Sequence, residues 1–240
     1  MKVLALDSSG MTASVAIVED NIVIGEYNVT YKKTHSQTLL PMLDEVVKMT
    51  ETDLKQIDAI AISSGPGSFT GLRIGSATAK GLAQGLELPV IEVPTLEAMA
   101  YQLFGTECLI CPMMDARRNQ AFTGLYEWKN DNFTTVEEQM AVPVEEIINK
   151  ANSYNKKVIY LGDGAIAFRQ QIEQLSAVPY SIAPSYALNQ RAAAVAARAI
   201  EYYNRQDKAH IVDAKDHAPV YLRMSQAERE RMEKQKKNAN

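Results

Sequence analysis

The chain has 240 residues, 46% of them hydrophobic and 22% charged, with a formal net charge of −4. That length can bury a real core in one large domain or two small ones, and the acidic balance argues against unaided binding of tRNA or DNA, which calls for a basic face. The opening MKVLALDSSG is too short an apolar run for a signal peptide and no long uncharged apolar stretch follows, so a cytoplasmic protein with no membrane span is expected.

In chain order, KVLALDSS reads as a strand with a polar C-terminal edge, and ASVAIVEDNIVIGEYNVT as an antiparallel hairpin around EDN. THSQTLLPMLDEVVKM reads as a helix, with Thr34 and Gln37 spaced as a capping box. DAIAISSGPGS is a buried strand running into a glycine loop, FTGLRIGSATAKGLAQGLE a long helix, and PVIEVP the next strand. A similar succession then begins. CLICPMMDARRNQAFTGLYEW predicts a strand, a tight turn and a returning strand. EEIINKA, AFRQQIEQL and NQRAAAVAARAIEYYN read as helices, with KVIYLGDG and YSIAP as strands between them. Two such successions predict two related α/β lobes, 1–104 and 105–224, divided near 104–107. The remaining 225–240 is highly charged, and is expected to fray or to be ordered by a partner. Cys108 and Cys111 have C-x-x-C spacing, but no second pair accompanies them, and they read as strand and core residues.

The loop SSGPGSFTGLRIG, 63–75, is where phosphate chemistry would be sought. A Walker loop needs Lys after its second glycine, whereas Leu72 follows Gly71, and the dinucleotide spacing also fails. A tight turn that lets the helix pack closely on its sheet is therefore the favoured reading. The serines lack the G-x-S-x-G elbow of a nucleophile. Along the following helix, Gly71, Gly75, Ala79 and Ala83 form one small-residue ridge, and Ala77, Gly81 and Gly85 a second. On the preceding helix, Leu39, Leu40, Met42, Leu43, Val46, Val47 and Met49 surround most of the circumference. A helix so covered is expected to meet its own sheet on one side and another protein on the other.

GPGSFTGLRIG, with LALDSS and THSQTLLPMLDEV ahead of it and PTLEAMA, MDARR, YLGDG and PVYLR after it, resembles the TsaB family of tRNA threonylcarbamoyladenosine biosynthesis proteins. The resemblance spans nearly the whole chain except the charged tail. It implies the two-lobed sugar kinase, Hsp70 and actin fold. It also implies a non-catalytic subunit that pairs with itself or with the catalytic relative TsaD, with TsaE as a third, ATP-hydrolysing subunit. The partner-binding set it points to is Leu39, Leu40, Leu43, Val46, Val47, Gly71, Leu72, Gly75 and Ala79. Asp7, Asp115, Arg117, Gly162 and Gly164 fall at vestigial nucleotide-site positions. Thr95 and Met99 stand where TsaD has two metal-binding histidines, so no metal and no cofactor are expected. Ala116 and Arg117 occupy positions where phosphate hairpins favour glycine, so ATP binding is expected to be weak or absent; Arg117 and Arg118 leave weak anion contact open. Asn119 and Gln120 depart from the family, where an acidic residue is common. The alternatives are a phosphotransferase of the same fold and a metallopeptidase-like hydrolase.

Overall fold

Two mixed sheets carry the chain, and the computed structural model describes residues 1–31 and 34–223 of it. The first half forms β1 (Lys2–Asp7), β2 (Thr12–Glu19), β3 (Ile22–Thr30), α1 (His35–Met49), β4 (Ala59–Gly65), α2 (Phe69–Leu86), β5 (Val90–Pro94) and α3 (Thr95–Tyr101). The second half forms β6 (Leu109–Asp115), β7 (Gln120–Lys129), β8 (Asn132–Pro143), α4 (Val144–Ser153), β9 (Val158–Leu161), α5 (Asp163–Ala167), α6 (Arg169–Leu175), β10 (Tyr180–Ile182), α7 (Ala192–Asn204) and β11 (Ile211–Val212).

The first sheet has the order β11-β5-β4-β1-β2-β3 and the second β10-β9-β6-β7-β8. In both, the lobe's first strand pairs antiparallel with its hairpin partner and parallel with the strand that returns after a helix. This duplicated lobe is the fold that the resemblance implies. Strands β1 and β4 are almost wholly buried, which is why they read as unbroken apolar runs rather than alternating ones.

The two faces of the first sheet differ in side-chain size. Leu4, Leu6, Val15, Ile17, Ile60 and Ile62 point towards α1 and α2, and large side chains fill that layer. Val3, Ala5, Ala16, Ala59 and Ala61 point the other way and meet Ala192, Val195, Ala196 and Ala199 of α7. Small residues on both partners let the helix lie close to the strands.

This packing corrects the expected domain division. The boundary was placed so that 105–224 formed one lobe, yet α7 lies on the first sheet and β11 pairs antiparallel with β5. The alanine face of α7 matches the alanine face of β1 and β4, and that complementarity draws the chain back. The expected charged tail, 225–240, lies outside the described residues.

Three local expectations also change. Thr34 sits at the N-cap of α1, but no side-chain cap bond forms; the Gln37 N–H instead donates to the Thr34 carbonyl at 2.9 Å. Helix α5 and strand β8 were not foreseen. β8 is only partly buried and carries Glu137 and Glu138, which hide its pattern. In its turn, Asn130 and Asp131 take the same left-handed conformation as Asp20 and Asn21 in the first hairpin.

Helix α3 packs on β4 and β5 of the first sheet, on β6, β7 and β8 of the second, and on α7. Glu97 of α3 accepts hydrogen bonds from Arg198 and from the Tyr202 hydroxyl, the latter at 2.7 Å, and the Arg198 guanidinium lies 4.3 Å from the Tyr202 ring centroid. Both charges are buried. Removing one partner of such a pair costs about 3–5 kcal/mol, so this network locks α3, which touches both sheets, to α7.

Candidate functional site

The site expected for phosphate lies where the two lobes face each other, at the turns that end β1 and β6. In the first lobe, Asp7 closes β1 and is almost completely buried. Its Oδ1 accepts from the Ser9 N–H at 2.8 Å and the Ser9 hydroxyl at 2.7 Å, and its Oδ2 accepts from the Ser63 hydroxyl. Burial pushes its carboxyl above the usual carboxylate range, and the serine hydrogen bonds pull it partly back. Both oxygens are thus engaged inside the lobe.

The glycine loop closes over the same turn. The Ser68 N–H donates to the Ser9 carbonyl at 2.7 Å, and the Ser8 hydroxyl donates to the Gly71 carbonyl at 2.9 Å. A Cβ on Gly67 would stand 2.3 Å from the Ser9 carbonyl oxygen, and one on Gly71 would stand 2.1 Å from that of Ser8. Those glycines exist because two stretches of backbone touch there. His35, a residue that sequence reasoning passed over, holds the turn from the other side, with Nε2 2.8 Å from the Gly10 carbonyl oxygen. Its position as the first residue of α1 gives no periodic signal.

In the second lobe, the turn after Asp115 is open. Asp115 Oδ1 accepts from the Arg117 N–H at 2.7 Å, and its Oδ2 meets the Arg117 guanidinium at 3.1 Å. The Arg117 side chain is 85% exposed. Arg117, Arg118 and Asn119 all have left-handed backbone, with φ of 64°, 56° and 58°. Asp163, at the start of α5, accepts from the Gly164 N–H at 3.0 Å, and burial pushes its carboxyl up.

A cleft of about 470 Å³ lies between these turns, with Ser9, Gly67, Phe69, Asp115, Arg117 and Asp163 among its walls. Of the five vestigial positions, Asp115 and Arg117 face the cleft, while Asp7, Gly162 and Gly164 are not among its lining residues. A Cβ on Gly162 would come within 2.2 Å of the Met113 carbonyl oxygen and one on Gly164 within 2.8 Å, so both serve the packing of α5 against β6. Residues Val220, Tyr221, Leu222 and Arg223 form a further wall, which nothing in their sequence announces.

Thr95 and Met99 fall at the first and fifth positions of α3, both buried, and the Thr95 hydroxyl has no hydrogen-bond partner. Cys111 lies in β6 beside Thr123, and burial pushes its thiol up to about 12; Cys108 precedes the strand. Among the described residues, no three His, Cys, Asp or Glu side chains are grouped so as to hold a metal ion.

The expected partner face needs correction. Leu39, Leu43, Val46, Leu72 and Ala79 are buried in their own lobe. Gly71 and Gly75 press on Ser8; a Cβ at Gly75 would lie 2.3 Å from the Ser8 hydroxyl oxygen and 3.1 Å from Ile62 Cδ1. A leucine at position 75 would therefore disrupt the lobe itself rather than spare it. Only Leu40, 54% exposed, and the half-buried Val47 reach the outer side. The outward ridge is the other one: Ala77, Gly81 and Gly85 are exposed, and a Cβ at either glycine would meet nothing within 4 Å. The apolar circumference of α1 arose because its inner face is broad, with Leu39, Met42, Leu43 and Val46 all inside.

Comparison with known proteins follows the same lines. The family model for TsaD, tRNA N6-adenosine threonylcarbamoyltransferase, matches residues 26–237. A tRNA threonylcarbamoyladenosine biosynthesis protein TsaB from Bacillus subtilis (strain 168) is 31% identical, covering 98% of this chain and 100% of its own. The Haemophilus influenzae protein of the same name is 32% identical, covering 93% and 94%. The solved structure of YeaZ from Pseudomonas aeruginosa superposes with a TM-score of 0.79 at 27% identity, covering 92% of this chain and 99% of that one. Among the described residues, no helix is long and apolar enough to cross a membrane. The superposing fold and 31% identity over the full length of the Bacillus relative agree: the chain belongs to the TsaB family of tRNA threonylcarbamoyladenosine biosynthesis proteins.

Proposed function

We propose that this chain serves threonylcarbamoylation of the adenosine beside the tRNA anticodon as a non-catalytic, cytoplasmic subunit that binds TsaD. The observation that carries the non-catalytic reading is the engaged, buried carboxylate of the first turn. Asp7 has both oxygens bonded to serines, and the glycine-loop backbone lies directly on Ser8 and Ser9. A phosphotransferase needs that turn free to cradle phosphate and that carboxylate free to act on a metal or a nucleophile.

The docking surface we propose is the outer side of α1 and α2. Leu40 is exposed on α1, and Ala77, Gly81 and Gly85 form a low ridge on α2. Such a ridge admits a partner helix at short distance, and the partner is TsaD or a second copy of this chain. TsaE joins through the assembly with TsaD.

The test is the mass in solution of the purified chain mixed with TsaD from the same source. A defined complex is expected, lost in a Leu40→Glu, Gly81→Leu double variant whose circular dichroism matches the parent. Normal capture of TsaD by that folded variant overturns the surface. Calorimetry with ATP and magnesium addresses catalysis: low-micromolar binding with hydrolysis by the chain alone would establish the phosphotransferase reading instead.

A further inference from the structure

Beyond β11 the chain does not leave the molecule. It runs back along α2, where Lys80 Nζ donates to the carbonyls of Lys215 and His217 at 3.0 Å each. The His217 imidazole is buried, with Nδ1 2.6 Å from Glu92 Oε1 of β5. The next residues enter the interlobe cleft. The Val220 N–H donates to the Ser64 carbonyl at 2.7 Å, and the Val220 carbonyl lies so close to Gly65 that a Cβ there would be 2.3 Å from its oxygen. The Tyr221 ring packs on Phe69 with centroids 4.8 Å apart, and its hydroxyl accepts from Arg73 Nε at 3.1 Å. Arg223 then donates from Nη1 to the Ala116 carbonyl at 2.6 Å.

Val220, Tyr221 and Arg223 therefore touch the end of β4, the first turns of α2 and the open turn of the second lobe. We infer that residues 219–223 are an interlobe clasp: they cover the glycine loop, tie it to the second-lobe turn at the mouth of the cleft, and come away as a unit to let the mouth open.

Two contrasts support release as a unit. Helix α3, which touches both sheets, is held to α7 by the buried Glu97–Arg198–Tyr202 network, whereas Val220 and Tyr221 remain 41% and 39% exposed. Residues 213–223 also belong to no strand or helix, so no ladder of backbone bonds anchors them. Contacts of this kind lie at the low-stability end of a fold and open locally before the core does. Ala116, the acceptor for Arg223, sits beside the left-handed run 117–119, and is reached from the first lobe only through this segment's side chain in the bonds described.

The test uses the full chain and hydrogen–deuterium exchange read by mass spectrometry. A Tyr221→Ala, Arg223→Ala double variant removes the stacking and the bridging donor while keeping the backbone. Exchange is expected to rise at least about tenfold in peptides covering 63–73 and also in those covering 115–122, with peptides of β1, β2 and α7 within about twofold of the parent. Arg223→Lys, which keeps a cationic donor, should restore much of the protection at 115–122. A rise confined to 63–73 would make the segment a first-lobe cover and overturn the clasp. Uniformly raised exchange across the chain would make it part of the cooperative core, and unchanged exchange would show that it holds nothing; either overturns it.

Discussion

The turns after Asp7 and Asp115 occupy equivalent places in two lobes of the same topology, and they have been put to opposite uses. The first is roofed by glycine-loop backbone, braced by Ser9, Ser63 and His35, and buried. The second stands open, with a neighbouring arginine in water and three residues held in left-handed backbone. Duplicated strand order fixes where a turn lies; what packs over it decides whether it supports the fold or faces a ligand or partner. In the first turn Asp7 and Ser8 belong to the core of the lobe while Ser9, Gly10 and Met11 line the cleft, whereas the second turn presents Asp115 and Arg117 themselves to it.

That contrast predicts unequal costs. Gly71→Ala should be the most damaging change, at about 3 kcal/mol, because the new Cβ meets a backbone carbonyl that cannot swing aside. Urea unfolding would show it as a lower midpoint, and an unshifted midpoint would mean that the roof is not closed. Asp7→Ala comes next. It strands the Ser9 N–H and two serine hydroxyls and should cost about 2–3 kcal/mol, whereas Asp115→Ala, which removes a turn bond and a surface ion pair, should cost less than about 1 kcal/mol. Equal losses in the two variants would erase the distinction between the turns.

The pH dependence sharpens the same comparison. Burial raises the Asp7 carboxyl in the folded protein, so between its unfolded and folded values the native state holds the extra proton. Its contribution is fully present below the unfolded value and is lost as pH rises through the folded one. Asp163, also raised by burial, acts in the same sense. Asp7→Asn should therefore flatten the fall of stability from acidic towards neutral pH, by at most one proton's worth, about 1.4 kcal/mol per pH unit. Parallel stability curves for parent and variant would contradict a buried, raised Asp7. The smallest effect is expected in the open turn. Arg117→Gly relieves left-handed strain and forfeits an exposed ion pair, for a net gain of about 0.5 kcal/mol by thermal unfolding. A clear loss would show that Arg117 braces the turn rather than merely occupying it.

Much of this was already written in the residue order. The strands β1, β4 and β6, the helices α1 and α2, the duplicated succession and the packing role of the glycine loop all follow from local signals: apolar runs, a 3.6-residue period, and a failed Walker spacing. The ridge proposed for docking was only half legible. Helical periodicity separates Gly71, Gly75 and Ala79 from Ala77, Gly81 and Gly85, but both ridges are small and apolar, so the period alone cannot say which one turns inward. The Ser8 backbone decided that, by filling the space over the first ridge and leaving the second open. The return of α7 to the first sheet and the run of 219–223 through the cleft had no sequence signal either. Each depends on complementarity between segments more than a hundred residues apart: alanine against alanine in one case, and a tyrosine on Phe69 and an arginine on a distant carbonyl in the other. Local pattern determines what a segment becomes, because its hydrogen bonds and side-chain period are internal to it. Where it docks is set by the shape of a surface that exists only once the rest of the chain has folded.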